Sequence, residues 1–177
     1  MLNEIAKVTG ERMKELTVAL SLLFLLLNPA FASQDSSLAI SKNNEGVKCL
    51  NRGDYRGAIK KFDESIEIEP RYGLAIENRA IAWKHLKHYK KALNDYDLLV
   101  KLRLENAWTF SSRADIYAKL KDYKSALSDY DRAIDANQSA RSLLLRKRAK
   151  IKLKLRDKIG AKEDLERAAG IDKLNSE

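Results

Sequence analysis

Small and bulky apolar residues return along this chain at a fixed interval. Ala58, Ala92 and Ala126 stand 34 residues apart, and Ala161 follows after 35. Each interval holds two stretches of about 14 residues with helical character. A polar turn joins them: Gly53-Asp54-Tyr55, Lys87-His88-Tyr89, Lys121-Asp122-Tyr123 and Arg156-Asp157-Lys158 occupy equivalent places. Small residues mark where paired helices must approach closely, with Gly46, Ala80, Ala114 and Ala149 on the first helices and the four alanines above on the second. Bulky residues fill between them: Cys49, Trp83 and Tyr117 on the first helices, Phe62, Tyr96, Tyr130 and Leu165 on the second. Pro70 closes the first copy, and Leu104, Gln138 and Lys173 stand in its place later. Self-similarity at such a period is the mark of a repeat architecture. The pattern predicts four helix pairs over 39–72, 73–106, 107–141 and 142–177, preceded by a short linker at 33–38.

Charges support the same register. Sixteen residues separate Arg79 from Asp95, Arg113 from Asp129 and Arg148 from Asp164, and at that spacing the first copy has Glu45 and Lys61, both signs reversed together. A joint reversal predicts contact between the two helices of one repeat. Pairing between repeats is disfavoured, because Arg79 would then face Lys61. The extra residue of the last interval is expected within 137–142.

With the small-large-small pattern and the 34-residue period in view, residues 39–173 resemble the tetratricopeptide-repeat family. The resemblance implies an all-α, right-handed superhelical solenoid of antiparallel helix pairs, with about four repeats. The fourth copy is atypical: Lys152 takes a place that is normally aromatic, and the turn tyrosine is lost. Terminal repeats need a polar outer face for solubility, so copy four is expected to be the cap.

Ahead of the repeats, residues 16–27 form a twelve-residue run without a charge, between Lys14 and Asn28-Pro29, and Ala30-Phe31-Ala32 follows. This is the layout of a signal peptide, predicted to occupy residues 1–32 with cleavage after Ala32. The run is shorter than the ~20 residues of a bilayer-spanning helix. An uncleaved membrane anchor, holding the solenoid as a subunit of an envelope assembly complex, is the alternative. Met13-Lys14 directly before the run is expected to be the true start. Export would make the chain periplasmic or secreted.

Composition adds few functional classes and removes several. Seven Gly and two Pro against 33% charged residues favour helix. The single cysteine, Cys49, can form no internal disulfide and is expected to be a small buried apolar residue. His85 and His88 are three apart, but no further Cys or His completes a metal set, so a surface turn is expected. Asp-Tyr-Asp at 95–97 and 129–131 resembles paired carboxylates, yet it recurs at the repeat period and is read as structural. There is no phosphate loop and no nucleophile elbow. No catalytic residue, cofactor or metal is expected, and the chain is read as a binding protein, not an enzyme.

The net charge of +9 is local: residues 141–158 hold nine Lys or Arg against Asp157, leaving +1 for the rest. In the family the resemblance points to, first helices line the concave groove. Transferred to this sequence, that set is Asn43, Asn44 and Val47, then Glu77, Asn78 and Ile81, then Trp108, Ser111, Ser112 and Asp115, and finally Arg146, Lys147, Lys150 and Lys154. A subclass of the family grips the carboxylates of cytosolic chaperone tails with a Lys, Asn and Arg clamp. Here Asn78 is kept, but Asn43, Val47, Trp108 and Ser112 stand where the clamp wants Lys, Asn, Lys and Arg, so the clamp reading is rejected. The expected partner is a protein or peptide of acidic character in the groove. A membrane or envelope polyanion is the second reading. Nucleic acid is disfavoured, because residues 141–158 contain no stacking aromatics. Ile151 and Leu153, alternating with lysines, are expected to form an apolar strip for a partner or for a homo-oligomer.

Overall fold

The computed structural model describes residues 29–137 and 139–176. Among them are eight helices: α1 (Pro29–Asn51), α2 (Tyr55–Ile68), α3 (Gly73–His85), α4 (Tyr89–Lys101), α5 (Ala107–Lys119), α6 (Tyr123–Ala136), α7 (Arg141–Lys154) and α8 (Lys158–Leu174). They pack as consecutive antiparallel pairs, α1 with α2 through α7 with α8, giving four helix-pair repeats. The uncharged run 16–27 and the start at Met13 lie outside the described residues. Residues 33–38, expected as a linker, are helical and continuous with α1, since no Gly or Pro interrupts that stretch. The first buried position among the described side chains is Ala39.

The local sequence explains each turn. Two residues before each second helix the backbone is left-handed: Gly53 (φ 78°), Lys87 (φ 61°), Lys121 (φ 64°) and Arg156 (φ 64°). Only the first copy uses the residue that adopts this conformation without a Cβ penalty. Asp54, Asp122 and Asp157 then cap α2, α6 and α8, accepting from the backbone N–H of Gly57, Ser125 and Gly160. Asn106 caps α5 in a box closed by Thr109. The extra residue of the last interval is absorbed before the fourth copy, where α7 starts one residue earlier relative to Ala149 than α5 does relative to Ala114.

All four alanines of the second helices are buried, as are Ala80, Ala114 and Ala149. Gly46 marks the tightest approach, since a Cβ there would stand 2.4 Å from the Phe62 ring. Phe62, Tyr96 and Tyr130 fill the core, which runs along the array as three adjoining clusters. The fourth copy departs from this: Leu165 is exposed, and Lys162 and Ala169 stand on the same outer side. Their equivalents in copy three are Leu127 and Ile134, so the outer face of α8 is shrunk and made polar, as a cap requires. Lys152 does not leave an aromatic vacancy open to water; its ammonium group reaches Asp164 (3.0 Å) and the carbonyl of Gly160 (3.2 Å). Cys49 is only half-buried against the first core cluster, where Arg52 reaches its sulfur at 3.5 Å.

Arginine staples join the repeats. Arg79, Arg113 and Arg148 each make a two-pronged contact with Asp95, Asp129 and Asp164 of their own repeat, at 2.6–3.0 Å. Glu45 and Lys61 make the reversed contact at 2.9 Å. The same arginines also reach back to the preceding repeat, to Asp63, Asp97 and Asp131 (2.7, 2.8 and 2.6 Å). Pairing between repeats therefore exists, contrary to the expectation. The partner is the carboxylate two residues beyond position 61 in the register, so Arg79 avoids Lys61 and still bridges. This accounts for Asp-Tyr-Asp: the first aspartate ties its own repeat, the second holds the next one, and the tyrosine between them enters the core. Burial pushes the Asp95 carboxyl up, and the bonds from Arg79 only partly offset it. At Asp164, burial acts the same way but is outweighed by Arg148 and Lys152, leaving that carboxyl lowered.

Candidate functional site: the first-helix groove

One face of the array is built by the first helices α1, α3, α5 and α7. Across it, Asn78 donates to Asn43 (2.9 Å) between α1 and α3, and Lys147 reaches Asp115 (2.8 Å) between α7 and α5. A cavity of about 230 Å³ opens here, lined by Lys84 of α3, by Trp108, Ser111, Ser112 and Asp115 of α5, and by Leu143, Leu144 and Lys147 of α7. A second, of about 380 Å³, continues along α5 past Asp115 and Ile116 to Ala118 and Lys119, with Lys84 and Tyr89 on its wall. Lys84 and Asp115 line both, so the two cavities adjoin there along an α5 channel.

The expected groove residues do not all face open space. Trp108, Asn44, Arg146, Lys150 and Lys154 are exposed, while Val47, Glu77, Asn78, Ile81, Ser111, Asp115 and Lys147 are partly covered. Asn43 and Ser112 are buried in the floor and serve the fold. Asn78, the one residue retained from the clamp pattern, is already engaged by Asn43.

The basic end is less basic than its composition. Arg146 pairs with Asp172 (2.5 Å), Lys147 with Asp115, Arg148 with Asp131 and Asp164, and Lys152 with Asp164. Arg146, Lys147, Arg148 and Lys152 are thus tied to carboxylates of this same chain, and sequence alone could not pair them. The expected Ile151–Leu153 strip does not form, because α7 is helical through both residues. Ile151 is in the core and Leu153 faces water, as residues two apart on a helix must diverge. His85 and His88 are both exposed; His85 stacks on Tyr55 and His88 meets the edge of Trp83.

A feature missed from the sequence is a row of exposed apolar residues at the same place in every first helix. Ile40 (45% exposed), Leu74 (56%), Trp108 (44%) and Leu143 (58%) recur with the repeat period. Of these only Trp108 is in the groove set expected from the family resemblance; its register partners carry the same period and are aliphatic. Beneath the row lies Tyr96, whose ring meets that of Trp108 at 6.4 Å. Its buried hydroxyl lies near Ser112 without a well-formed hydrogen bond. Burial pushes its pKa above the ordinary tyrosine value. One repeat later, Tyr130 donates to Asp115, and Ile81 stands in that place for Tyr96. Burial pushes the Glu77 carboxyl up, with no cation lowering it among the described residues.

This geometry is shared with solved structures. MamA 41-end from Desulfovibrio magneticus RS-1 superposes with a TM-score of 0.72 at 16% identity over 78% of each chain. The first TPR of Spaghetti (RPAP3), solved bound to the HSP90 peptide SRMEEVD, gives 0.64 at 25% identity, over 68% of this chain and 97% of that one. A tetratricopeptide-repeat protein from Parabacteroides merdae gives 0.69 at 19% identity, over 79% of this chain and 54% of that one. No curated protein matches in sequence. The family model described as tetratricopeptide repeat matches residues 110–139, which cover most of α5 and all of α6. Helix pairing, period and these likenesses agree: the chain is a tetratricopeptide-repeat protein.

Proposed function

We propose that this interaction module is exported and seats an acidic peptide or protein segment along its first-helix groove, acting by binding and not by catalysis. The observation that carries the reading is the apolar row Ile40, Leu74, Trp108 and Leu143. A side chain that large is left in water at the same place in four successive repeats, where each could have been polar at no expense to the core. Contiguous apolar surface rimmed by charge is the usual mark of a protein-binding face. Support for an acidic ligand comes from the surplus of positive charge and from the acidic peptide held by the similar RPAP3 domain. The clamp that would read a chaperone tail is not reproduced here, so the ligand is of a different sequence. Support for export is the uncharged run 16–27 followed by Ala30-Phe31-Ala32. Cleavage after Ala32 would leave Ala39 and every later core residue in place.

Two measurements test the reading. A random peptide library displayed against the full chain should yield binders that are lost when Leu74, Trp108 and Leu143 are all changed to Ser in a variant that stays helical. Equal recovery by both proteins would remove the groove from consideration. N-terminal sequencing of protein from the envelope and external fractions should begin at Ser33; a chain that retains residues 16–27 would establish the anchored form instead.

A further inference from the structure

We infer that the acidic group of a bound segment is read by Lys84, at the middle of the α5 channel, and Lys119, at its far end, and not by the basic tract on α7. This rests on the groove reading above and deepens it. The tract loses Arg146, Lys147, Arg148 and Lys152 to internal carboxylates. Lys84 and Lys119 are in no ion pair among the described residues, yet both line the channel, and Lys84 belongs to both of its cavities. A paired lysine presents little net field to a ligand, whereas an unpaired one on a partly enclosed wall acts through a lower effective dielectric and is screened less. Lys84, from the last turn of α3, is half-buried and so held against the wall over part of its stem.

Asp115 lies between the two ends and sharpens the assignment. Its carboxylate is held by the hydroxyl of Tyr130 and by Lys147, which offsets its charge and leaves Lys84 beside it and Lys119 beyond it to act on a ligand. At the other end stand Trp108 and Leu143, exposed and apolar. From Trp108 to Lys119 the helix rises about 16 Å. An extended strand covers that span in roughly five residues at about 3.3 Å each. The occupant is therefore a short extended segment with a bulky apolar side chain at one end and a carboxylate three to five positions away.

The test is selection of a displayed random heptapeptide library on the full chain in low salt. The same selection is made on Lys84→Glu with Lys119→Glu, on Lys150→Glu with Lys154→Glu, and on Leu74→Ser with Trp108→Ser and Leu143→Ser. Each variant is first checked for native helicity. Peptides from the native chain should pair an apolar residue with Asp or Glu three to five positions off. Their affinity should fall at least tenfold in the Lys84/Lys119 variant, change less than threefold in the Lys150/Lys154 variant, and weaken at 0.3 M salt. Enrichment without acidic residues, no enrichment at all, or acidic binders that survive the Lys84/Lys119 reversal would overturn the assignment. Binders that survive this reversal but are lost with the apolar row would leave the groove reading standing; binders indifferent to both would remove it as well. A Lys84/Lys119 variant with inadequate helicity is replaced by Lys84→Gln with Lys119→Gln, for which the expected loss is threefold or more.

Discussion

Changing Arg113 to Ala removes the staple at the centre of the array, and its effect can be worked out from the two carboxylates it holds. Asp129 is nearly sealed, its side chain 5% exposed, and receives both prongs of the guanidinium at 2.7 and 2.8 Å. Asp97 is 54% exposed and receives one. Without Arg113, Asp129 becomes a buried carboxylate with no partner, a situation that costs about 3–5 kcal/mol. Asp97 is rehydrated and loses at most about 1 kcal/mol. Arg113→Ala should thus destabilise by several kcal/mol, a large share of a total that is typically about 5–15 kcal/mol, while Asp97→Ala should lose less than about 1 kcal/mol. Replacing the sealed pair together, Arg113→Met with Asp129→Leu, should recover most of the loss, because neither charge is then stranded. The assay is urea unfolding followed by helical circular dichroism, with midpoint and slope both recorded. A slope that falls only in the Arg113 variants would show the second and third repeats unfolding separately. Loss of less than about 1 kcal/mol in Arg113→Ala, or an equal loss in Asp97→Ala, would refute the assignment of the stabilising contact to the inner carboxylate.

Other expectations follow from single features. Lys121→Gly and Arg156→Gly should each stabilise by about 0.5–1 kcal/mol, since a left-handed residue is relieved of its Cβ, and Gly53→Ala should lose a similar amount; thermal midpoints decide. Glu77→Gln should raise unfolding stability at pH 7 by less than about 1 kcal/mol, read as a higher urea midpoint, and leave it unchanged near pH 3.5. The sign follows from burial holding the folded carboxyl above its unfolded value: the native chain loses stability as pH rises from that unfolded value through the folded one, and Gln does not. Asp164 has the opposite sign, its folded value being lowered, so its contribution is present above about pH 4 and is lost below it; Asp164→Asn should flatten the acid limb of the stability profile. Trp108→Ala should lower unfolding stability by no more than about 1.5 kcal/mol, the contribution of its ring contact with Tyr96, while abolishing peptide binding.

Most of the fold is legible without coordinates, because a repeat states the same packing problem four times. Small residues at 46, 80, 114 and 149 and at 58, 92, 126 and 161 must lie where helices touch, and the sixteen-residue Arg–Asp spacing fixes which helices touch. Periodicity also held the information about Ile40, Leu74 and Leu143, which went unread because an aliphatic residue in a helix is ordinarily core. What periodicity could not carry is any contact between residues that are not register equivalents. Arg146 meets Asp172 and Lys147 meets Asp115 only because α8 and α5 flank α7, so the partial neutralisation of the basic tract is a tertiary fact. The second grip of each arginine, on Asp63, Asp97 or Asp131, depends likewise on how one pair rotates against the next. Sequence determined the helices, their pairing and their number, since these follow from local pattern and from spacing within one repeat. The sites where charge survives uncancelled, and hence the end of the groove that can attract a ligand, were decided by the stacking of repeats, because a charge is spent or free according to its neighbours in space.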